Sequence, residues 1–326
     1  MSLEDEDLIE EEEVVITLTN KGYIKRLAKS EFRAQRRGGR GVQGMGVHDE
    51  DFVKTLVSCS THDTLLFFTN QGKVYKAKGY EIPEYGRAAK GIPVINLLGI
   101  DSNELIQAII PVSSQPTAGR YLFFTTKYGV VKRTEVTAFS NIRSNGLIAI
   151  GLKEGAELVN IVETNGENTI IIGTHDGYSV RFEESQVRDM GRTAAGVRGI
   201  KLREGDYVVG SSVISDNQEV LVITENGYGK RTAASEYPVK GRGGKGIKTA
   251  NITEKNGPLA GLTTVDGSED ILLITDKGVI IRFNVDSVSQ TGRATLGVRL
   301  MKMEEDTKVV TMATVEPEED EDVSED

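Results

Sequence analysis

The amino-acid sequence predicts an all-β fold, a six-bladed, propeller-like disc of four-stranded blades, and three observations predict it. A turn glycine recurs as Gly22, Gly72, Gly129, Gly177, Gly227 and Gly278, at spacings of 50, 57, 48, 50 and 51 residues. Each follows a near-continuous apolar run, the pattern of a strand buried on both faces. Between these runs no convincing amphipathic helix is found. A lone four-stranded sheet cannot bury both faces, and stacking such sheets radially solves this while leaving only short edges exposed.

The elements follow in order. Unit one opens with VVITLTNKG from Val14 and resumes beyond the turn as Tyr23-Ile24-Lys25-Arg26-Leu27. The later hairpins are LLFFTNQG from Leu65, YLFFTTKYG from Tyr121, TIIIGTHDG from Thr169, EVLVITENG from Glu219 and DILLITDKG from Asp270. Glycine supplies the positive φ that such turns need. After each hairpin a polar loop ends in Gly followed by a β-branched or aliphatic residue: RGGRGV from Arg37, RAAKGI from Arg87, RTAAGV from Arg192, RGGKGI from Arg242 and RATLGV from Arg293. The third copy, Arg143-Ser144-Asn145-Gly146-Leu147, is one residue short. An alternating segment closes each unit, as in FVKTLVSC from Phe52, LIQAIIPV from Leu105, DYVVGSSV from Asp206 and KVVTMATV from Lys308. Each unit thus supplies about four short strands.

Charge is segregated along the chain. The formal net charge is −10, yet residues 1–13 hold eight carboxylates and residues 316–326 eight more, with no Lys or Arg in either. Without these ends the body carries +6. The organisation read from this is an acidic linker over residues 1–13, with Met1-Ser2-Leu3 as an expression scar, a disc over residues 14–315, and an acidic tail over residues 316–326. Both ends are expected to be disordered. The single Cys59 excludes an intramolecular disulfide framework, fits a reducing cytosol, and is expected in the core. No apolar run approaches the roughly 20 residues of a membrane-spanning helix, and the acidic start lacks the features of a signal peptide. With no Trp in the chain, a WD40 propeller is excluded.

The most telling motif is Gln35-Arg36-Arg37-Gly38-Gly39-Arg40-Gly41. Guanidinium forks match phosphate oxygens and stay charged, and residues without a β-carbon let the backbone lie close to another polymer. Neighbouring like charges destabilise a purely structural loop, so the heptad reads as a DNA-contacting loop. Placed at the end of the first of six such units, and echoed by RAAKG and RGGKG in units two and five, it resembles the signature box of the gyrase A C-terminal domain, in the type IIA topoisomerase family. The resemblance extends over essentially the whole chain.

That resemblance implies a β-pinwheel, a propeller variant whose blades exchange strands, with the box loop between the first and last blades. It also implies a disc that wraps double-stranded DNA around its rim so that the enzyme, DNA gyrase, introduces negative supercoils. The domain would carry neither the cleavage tyrosine nor the ATPase site, and no cofactor of its own, while the holoenzyme would use ATP and magnesium. Its partners would be DNA, an upstream gyrase A core and gyrase B in an A2B2 assembly, in the cytoplasm with the nucleoid. Bending 20 to 30 base pairs by 40 to 90° costs roughly 1 to 6 kcal/mol, so a larger wrap should cost on the order of 10 kcal/mol and needs cations on every blade. The candidates are Lys25, Arg26 and the box in unit one; Lys76, Arg87 and Lys90; Lys132, Arg133 and Arg143; Arg181, Arg192 and Arg198; Lys230, Arg231, Arg242 and Lys245; and Arg282, Arg293 and Arg299. The arginine that begins each loop, Arg192 and Arg293 above all, equally fits a role capping carbonyls of the blade corner.

Other matches are rejected. Gly39-Arg40-Gly41-Val42-Gln43-Gly44 satisfies the dinucleotide pattern but lacks a following helix, and Gly241-Arg242-Gly243-Gly244-Lys245-Gly246 lacks the Ser or Thr and the helix of a phosphate loop. Tyr121 opens an apolar strand, so Arg120-Tyr121 is not read as a cleavage site. His48, His62 and His175 are scattered without ligand spacing, and no metal site or catalytic centre is expected. Two alternatives stay open: a topoisomerase IV type domain that selects DNA crossings with little wrapping, against which the intact heptad argues, and a propeller that recruits protein partners. The acidic tail could compete with DNA for the rim.

Overall fold

The computed structural model describes residues 3–30, 51, 53–86, 88–113, 118–277 and 279–315. Unit one gives β1 (Glu13–Thr19), β2 (Tyr23–Ala28) and β3 (Val53–Ser60). Unit two gives β4 (Thr64–Thr69), β5 (Lys73–Lys78), the two-residue β6 (Ile92–Pro93) and β7 (Ile106–Val112). Unit three gives β8 (Tyr121–Thr126), β9 (Val130–Glu135), β10 (Leu147–Ile148) and β11 (Leu158–Thr164). Unit four gives β12 (Thr169–Thr174), β13 (Tyr178–Glu183), β14 (Val197–Arg198) and β15 (Val208–Ile214). Unit five gives β16 (Glu219–Thr224), β17 (Tyr228–Ala233), β18 (Ile247–Lys248) and β19 (Leu259–Val265), and unit six β20 (Asp270–Thr275), β21 (Ile280–Asn284), β22 (Val298–Arg299) and β23 (Val309–Val315).

The two-residue strands decide the architecture. Each leaves its own unit and pairs with the second hairpin strand of the unit before, giving the sheets β3-β1-β2-β6, β10-β5-β4-β7, β11-β8-β9-β14, β15-β12-β13-β18 and β19-β16-β17-β22. The sixth sheet, β21-β20-β23, has three strands among the described residues. In unit one the sequence equivalent of this strand is Val42-Gln43, which lies outside them. The protein is an all-β, six-bladed β-pinwheel whose neighbouring blades are stitched by exchanged strands. The exchange requires glycine at the approach: Gly196 has a φ of +102°, and a Cβ there would stand 2.3 Å from the Val131 carbonyl oxygen.

The closing strands β3, β7, β11, β15, β19 and β23 stand beside one another around the axis, and β23 returns to β3. Polar side chains tie them across blade boundaries: Gln107 Nε2 donates to the Val159 carbonyl (3.0 Å) and Asn160 Nδ2 to that of Ser211 (2.6 Å). The first hairpin strands are buried on both faces as their apolar runs predict, and the core lies between blades; Phe68 meets Phe124 and Phe139 edge-on at 5.6 and 5.7 Å. Cys59 is buried in this core, where burial pushes its thiol up to about 12.

The acidic start departs from the expectation of disorder. Residues 3–6 form a helical turn, and the segment behind it docks on blade two: Thr61 Oγ1 donates to the Glu10 carbonyl (2.9 Å) and accepts from the Glu12 N–H (3.0 Å). Lys78 Nζ lies 3.3 Å from the Glu6 carboxylate. Backbone satisfaction by one threonine, together with this ion pair, outweighs the low hydrophobicity of the segment. The tail over residues 316–326 lies outside the described residues.

Candidate nucleic-acid interface

The cation pairs that follow the hairpin turns are fasteners between blades. On β9, Lys132 is fully buried; its ammonium donates to the carbonyls of Ala149 and, at 2.5 Å, of Arg192 in the corner loop of the next unit. Burial, and then the Arg192 charge, lower it to about 7. On β17, Lys230 donates to the carbonyls of Gly292 (2.9 Å), Arg293 (2.5 Å) and Thr295 (3.0 Å), and burial lowers it to about 8. On β2, Lys25 reaches the carbonyls of Gly86 (3.3 Å) and Ala89 (3.0 Å).

The arginines beside these lysines grip the single 3₁₀ turn of the following unit. Arg26 Nε donates to the Ile82 carbonyl (2.9 Å) and Arg231 Nε to that of Val288 (2.8 Å), with Arg231 NH1 on Glu219 (2.7 Å). Arg133 pairs with the fully buried Glu184 (3.2 Å) and lies 4.4 Å from the Tyr121 ring centre. Arg181 donates to the carbonyls of Ala234 and Tyr237. Lys25, Arg26, Lys132, Arg133, Lys230 and Arg231 thus lie in contacts between neighbouring units, and a phosphate would have to displace those hydrogen bonds to reach them.

The corner loops divide in the same way. Arg242 NH1 donates to the Arg198 carbonyl (2.6 Å) and Arg293 NH1 to that of Lys248 (2.8 Å), so both cap the edge of the preceding blade. The capping role considered for Arg293 is the one the structure shows, and Arg242 shares it. Arg192 is half-buried, with its Nε lacking a hydrogen-bond partner. Lys90, Arg143, Arg198, Lys245 and Arg299 are exposed, Lys90 lying 5.7 Å from the Tyr23 ring centre. Arg198 and Arg299 sit on the exchanged strands, which are the outermost of each sheet. Arg87 and the heptad Gln35, Arg36, Arg37, Gly38, Gly39, Arg40 and Gly41 lie outside the described residues.

A family model described as "DNA gyrase C-terminal domain, beta-propeller" matches the chain six times, over residues 13–60, 63–113, 120–165, 168–215, 218–266 and 269–316. The chain belongs to the DNA gyrase C-terminal domain family. It is 70% identical over 318 residues to the DNA gyrase A protein of Streptococcus pyogenes and 64% identical over 323 residues to that of Streptococcus pneumoniae. These matches cover 98% and 99% of the chain but only 38% and 39% of the relatives, so the chain spans about two fifths of their length. Among solved structures it is similar to the C-terminal domain of a DNA topoisomerase IV (TM-score 0.82, 29% identity, 95% of each chain covered). It is also similar to a DNA gyrase A C-terminal domain (TM-score 0.73, 29% identity, covering 93% of this chain and 99% of that one).

Sequence reasoning missed part of the rim of the disc. Lys248 occupies the same place on its exchanged strand as Arg198 and Arg299, and Lys201 and Lys302 are exposed three residues beyond Arg198 and Arg299. The signal was a basic residue second after the loop glycine, in GVR, GIK and GVR. The fold also gathers His175, Asp176 and Asp206, whose ligand-type atoms lie within 4.8 Å of one another. Asp206 is engaged in its turn, accepting from the N–H groups of Asp176 (2.9 Å) and Tyr207 (2.8 Å). Among the described residues no helix is long and apolar enough to cross a membrane.

Proposed function

We propose that this domain binds double-stranded DNA along the outer rim of the disc and wraps it, so that the gyrase to which it belongs introduces negative supercoils. The observation that carries this reading is the placement of exposed cations on three successive exchanged outer strands, at Arg198, Lys248 and Arg299, with Arg242 and Arg293 bridging the first two to the next corner loop. Such a band meets phosphates without reading bases and spreads the cost of bending over several blades. The box, Gln35 to Gly41, acts as the clasp between first and last blades, since unit one alone has no partner strand before it except in blade six. On this reading the domain itself is non-catalytic. The cleavage tyrosine, ATP and magnesium belong to the rest of an A2B2 holoenzyme with gyrase B, working on cytoplasmic DNA.

The test is topological. Nicked plasmid is ligated with increasing domain, and the linking number is read after removal of protein. Replacing Arg36, Arg37 and Arg40 by Ala should abolish the shift while leaving most duplex affinity, and an unchanged linking number would refute the role of the box. A domain that binds crossings of two duplexes as tightly as one duplex, with no linking-number change, would point to the topoisomerase IV type of action instead.

A further inference from the structure

Four Asn-Gly pairs lie in turns of the disc, Asn145-Gly146, Asn165-Gly166, Asn226-Gly227 and Asn256-Gly257. In such a pair the backbone nitrogen of glycine can attack the side-chain amide before it, because no β-carbon hinders the approach. Attack needs an unengaged nitrogen, a polarised amide carbonyl and a leaving group open to water, and the fold distributes these unequally. Asn256 is fully buried; its Nδ2 donates to the carbonyls of Asn251 (2.8 Å) and Leu296 (3.2 Å), and the Gly257 N–H donates to that of Thr253 (2.9 Å). Asn226 Nδ2 donates to the carbonyls of Glu254 (3.0 Å) and Lys255 (3.3 Å), and the Gly227 N–H to that of Thr224 (3.1 Å). Asn145 is exposed, but the Gly146 N–H is held by the Arg143 carbonyl (3.0 Å).

Asn165 differs from all three. It is exposed, in the loop over residues 165–168 between β11 and β12, and among the described residues the Gly166 N–H meets no acceptor. The Glu167 N–H donates to Asn165 Oδ1 (2.9 Å). This Asx turn folds the amide over the peptide that follows, and it aims a donor at the oxygen on which charge develops during attack. The equivalent loop over residues 266–269, between β19 and β20, repeats the turn, the Ser268 N–H donating to Asp266 Oδ1 (2.9 Å). There Glu269 accepts from the Gly267 N–H (3.1 Å). Asn168 stands in the place of Glu269, accepts from the Asn165 N–H (2.9 Å), and leaves Gly166 unengaged.

We propose that Asn165-Gly166 is a site of self-modification that loosens the joint between blades three and four. The Gly166 nitrogen bonds to Asn165 Cγ, its proton passes through water to Nδ2, the Cγ–Nδ2 bond breaks, and ammonia leaves a five-membered succinimide. Water then opens one of the two imide bonds. Breaking the bond to Cγ gives aspartate, a residue that the equivalent position already accommodates as Asp266. Breaking the bond to the main-chain carbonyl carbon gives isoaspartate, whose chain runs through the β-carbon and is one atom longer. The loop has no slack for that atom: the Asn168 N–H donates to the buried Glu184 carboxylate (2.9 Å), and the Asn168 carbonyl accepts from the Glu184 N–H (2.9 Å). Glu184 in turn holds Arg133 (3.2 Å) and Thr164 (2.8 Å). A longer loop draws Asn168 away from Glu184 and weakens that fastening.

The folded domain is aged in neutral buffer and sampled by peptide mass spectrometry, with a urea-unfolded sample as the reference for each pair. In urea the four pairs should react at similar rates. In the fold Asn165 should lose its amide several-fold faster than Asn145, with Asn226 and Asn256 intact. Asn168→Glu copies the equivalent loop, supplies Gly166 with an acceptor, and should slow Asn165 several-fold without touching Asn145. Asn145 reacting as fast as Asn165 in the folded domain, or an unchanged rate in Asn168→Glu, would overturn the site. For the joint, hydrogen exchange at the Asn168 amide is compared between the isoaspartate form, isolated by ion exchange from aged protein, and Asn165→Asp. Exchange should quicken in the isoaspartate form alone, and equal exchange in the two would overturn the loosening.

Discussion

Replacing Lys132 by Met keeps the length of the side chain and removes its charge, and pH decides which chain is the more stable. Lowering a lysine from 10.5 to about 7 corresponds to about 5 kcal/mol of preference for the neutral form in the fold, an upper bound that relaxation and solvent screening reduce to about 2 to 3 kcal/mol. Below pH 7 both folded and unfolded chains hold the proton, and the fold bears the whole penalty. Between about pH 7 and 10.5 the unfolded chain keeps the proton while the folded chain sheds it, so stability from this group rises with pH. Above that window both are neutral and the contribution is flat. Met escapes the penalty at every pH but leaves the carbonyls of Ala149 and Arg192 without their donor, at about 1 to 3 kcal/mol each. Wild type and variant should therefore be nearly matched at pH 6, with wild type ahead by about 2 to 3 kcal/mol at pH 9.5. Urea unfolding followed by circular dichroism at three pH values gives the difference. A gap that is constant, or that narrows as pH rises, refutes a buried, largely discharged ammonium.

Glu184→Ala strands the Arg133 guanidinium in a buried site, and should cost about 3 to 5 kcal/mol in the same unfolding assay, against far less for the exposed Glu183→Ala. Gly196→Ala drives a methyl into the Val131 carbonyl at a φ of +102°. It should release β14 from β9 and raise hydrogen exchange at the Val197 amide, while exchange across β12 stays protected. Deleting residues 316–326 removes eight carboxylates tethered to the disc. If the tail competes for the rim, duplex affinity rises and the gain shrinks with added salt; equal affinity at low salt removes the idea.

The repeat was legible because two local rules act in every unit. A strand buried on both faces must be continuously apolar, as in TIIIGT of β12, and the hairpin turn must carry glycine, as at Gly177. The strand exchange was not legible from the residues themselves, since a strand of two residues such as Val197-Arg198 has no periodicity to display; it entered only through the family resemblance. The part the basic pairs play between blades was hidden for a related reason. Lys-Arg after a turn looks like a solvated edge, yet the following unit folds its 3₁₀ turn over it, as residues 234–237 cover Arg181. A signal was present: the position of Lys25, Lys132 and Lys230 is Tyr75, Val180 and Ile281 in the other units. A site that admits Tyr, Val or Ile as readily as Lys faces the interior.

The two kinds of cation also behave differently when removed, and affinity alone confuses them. On the proposed function Lys230→Met should let the corner loop over residues 292–295 loosen, misplace Arg293 and the exposed groups near it, and so weaken DNA binding. On the proposed function Arg198→Ala should weaken it too, by removing an exposed charge placed to meet phosphate directly. Counterion release separates them, because the slope of log K against log salt counts phosphates neutralised in the complex and is blind to the cost of ordering a loop. Arg198→Ala should reduce the slope by about 0.9 with unfolding stability unchanged. Lys230→Met should leave the slope within error of wild type, lower the affinity at every salt concentration alike, and show its effect in the exchange of the Thr295 and Asn251 amides. A lost slope in Lys230→Met would mean that its ammonium turns outward to DNA, and that the fastening seen here gives way when the duplex arrives.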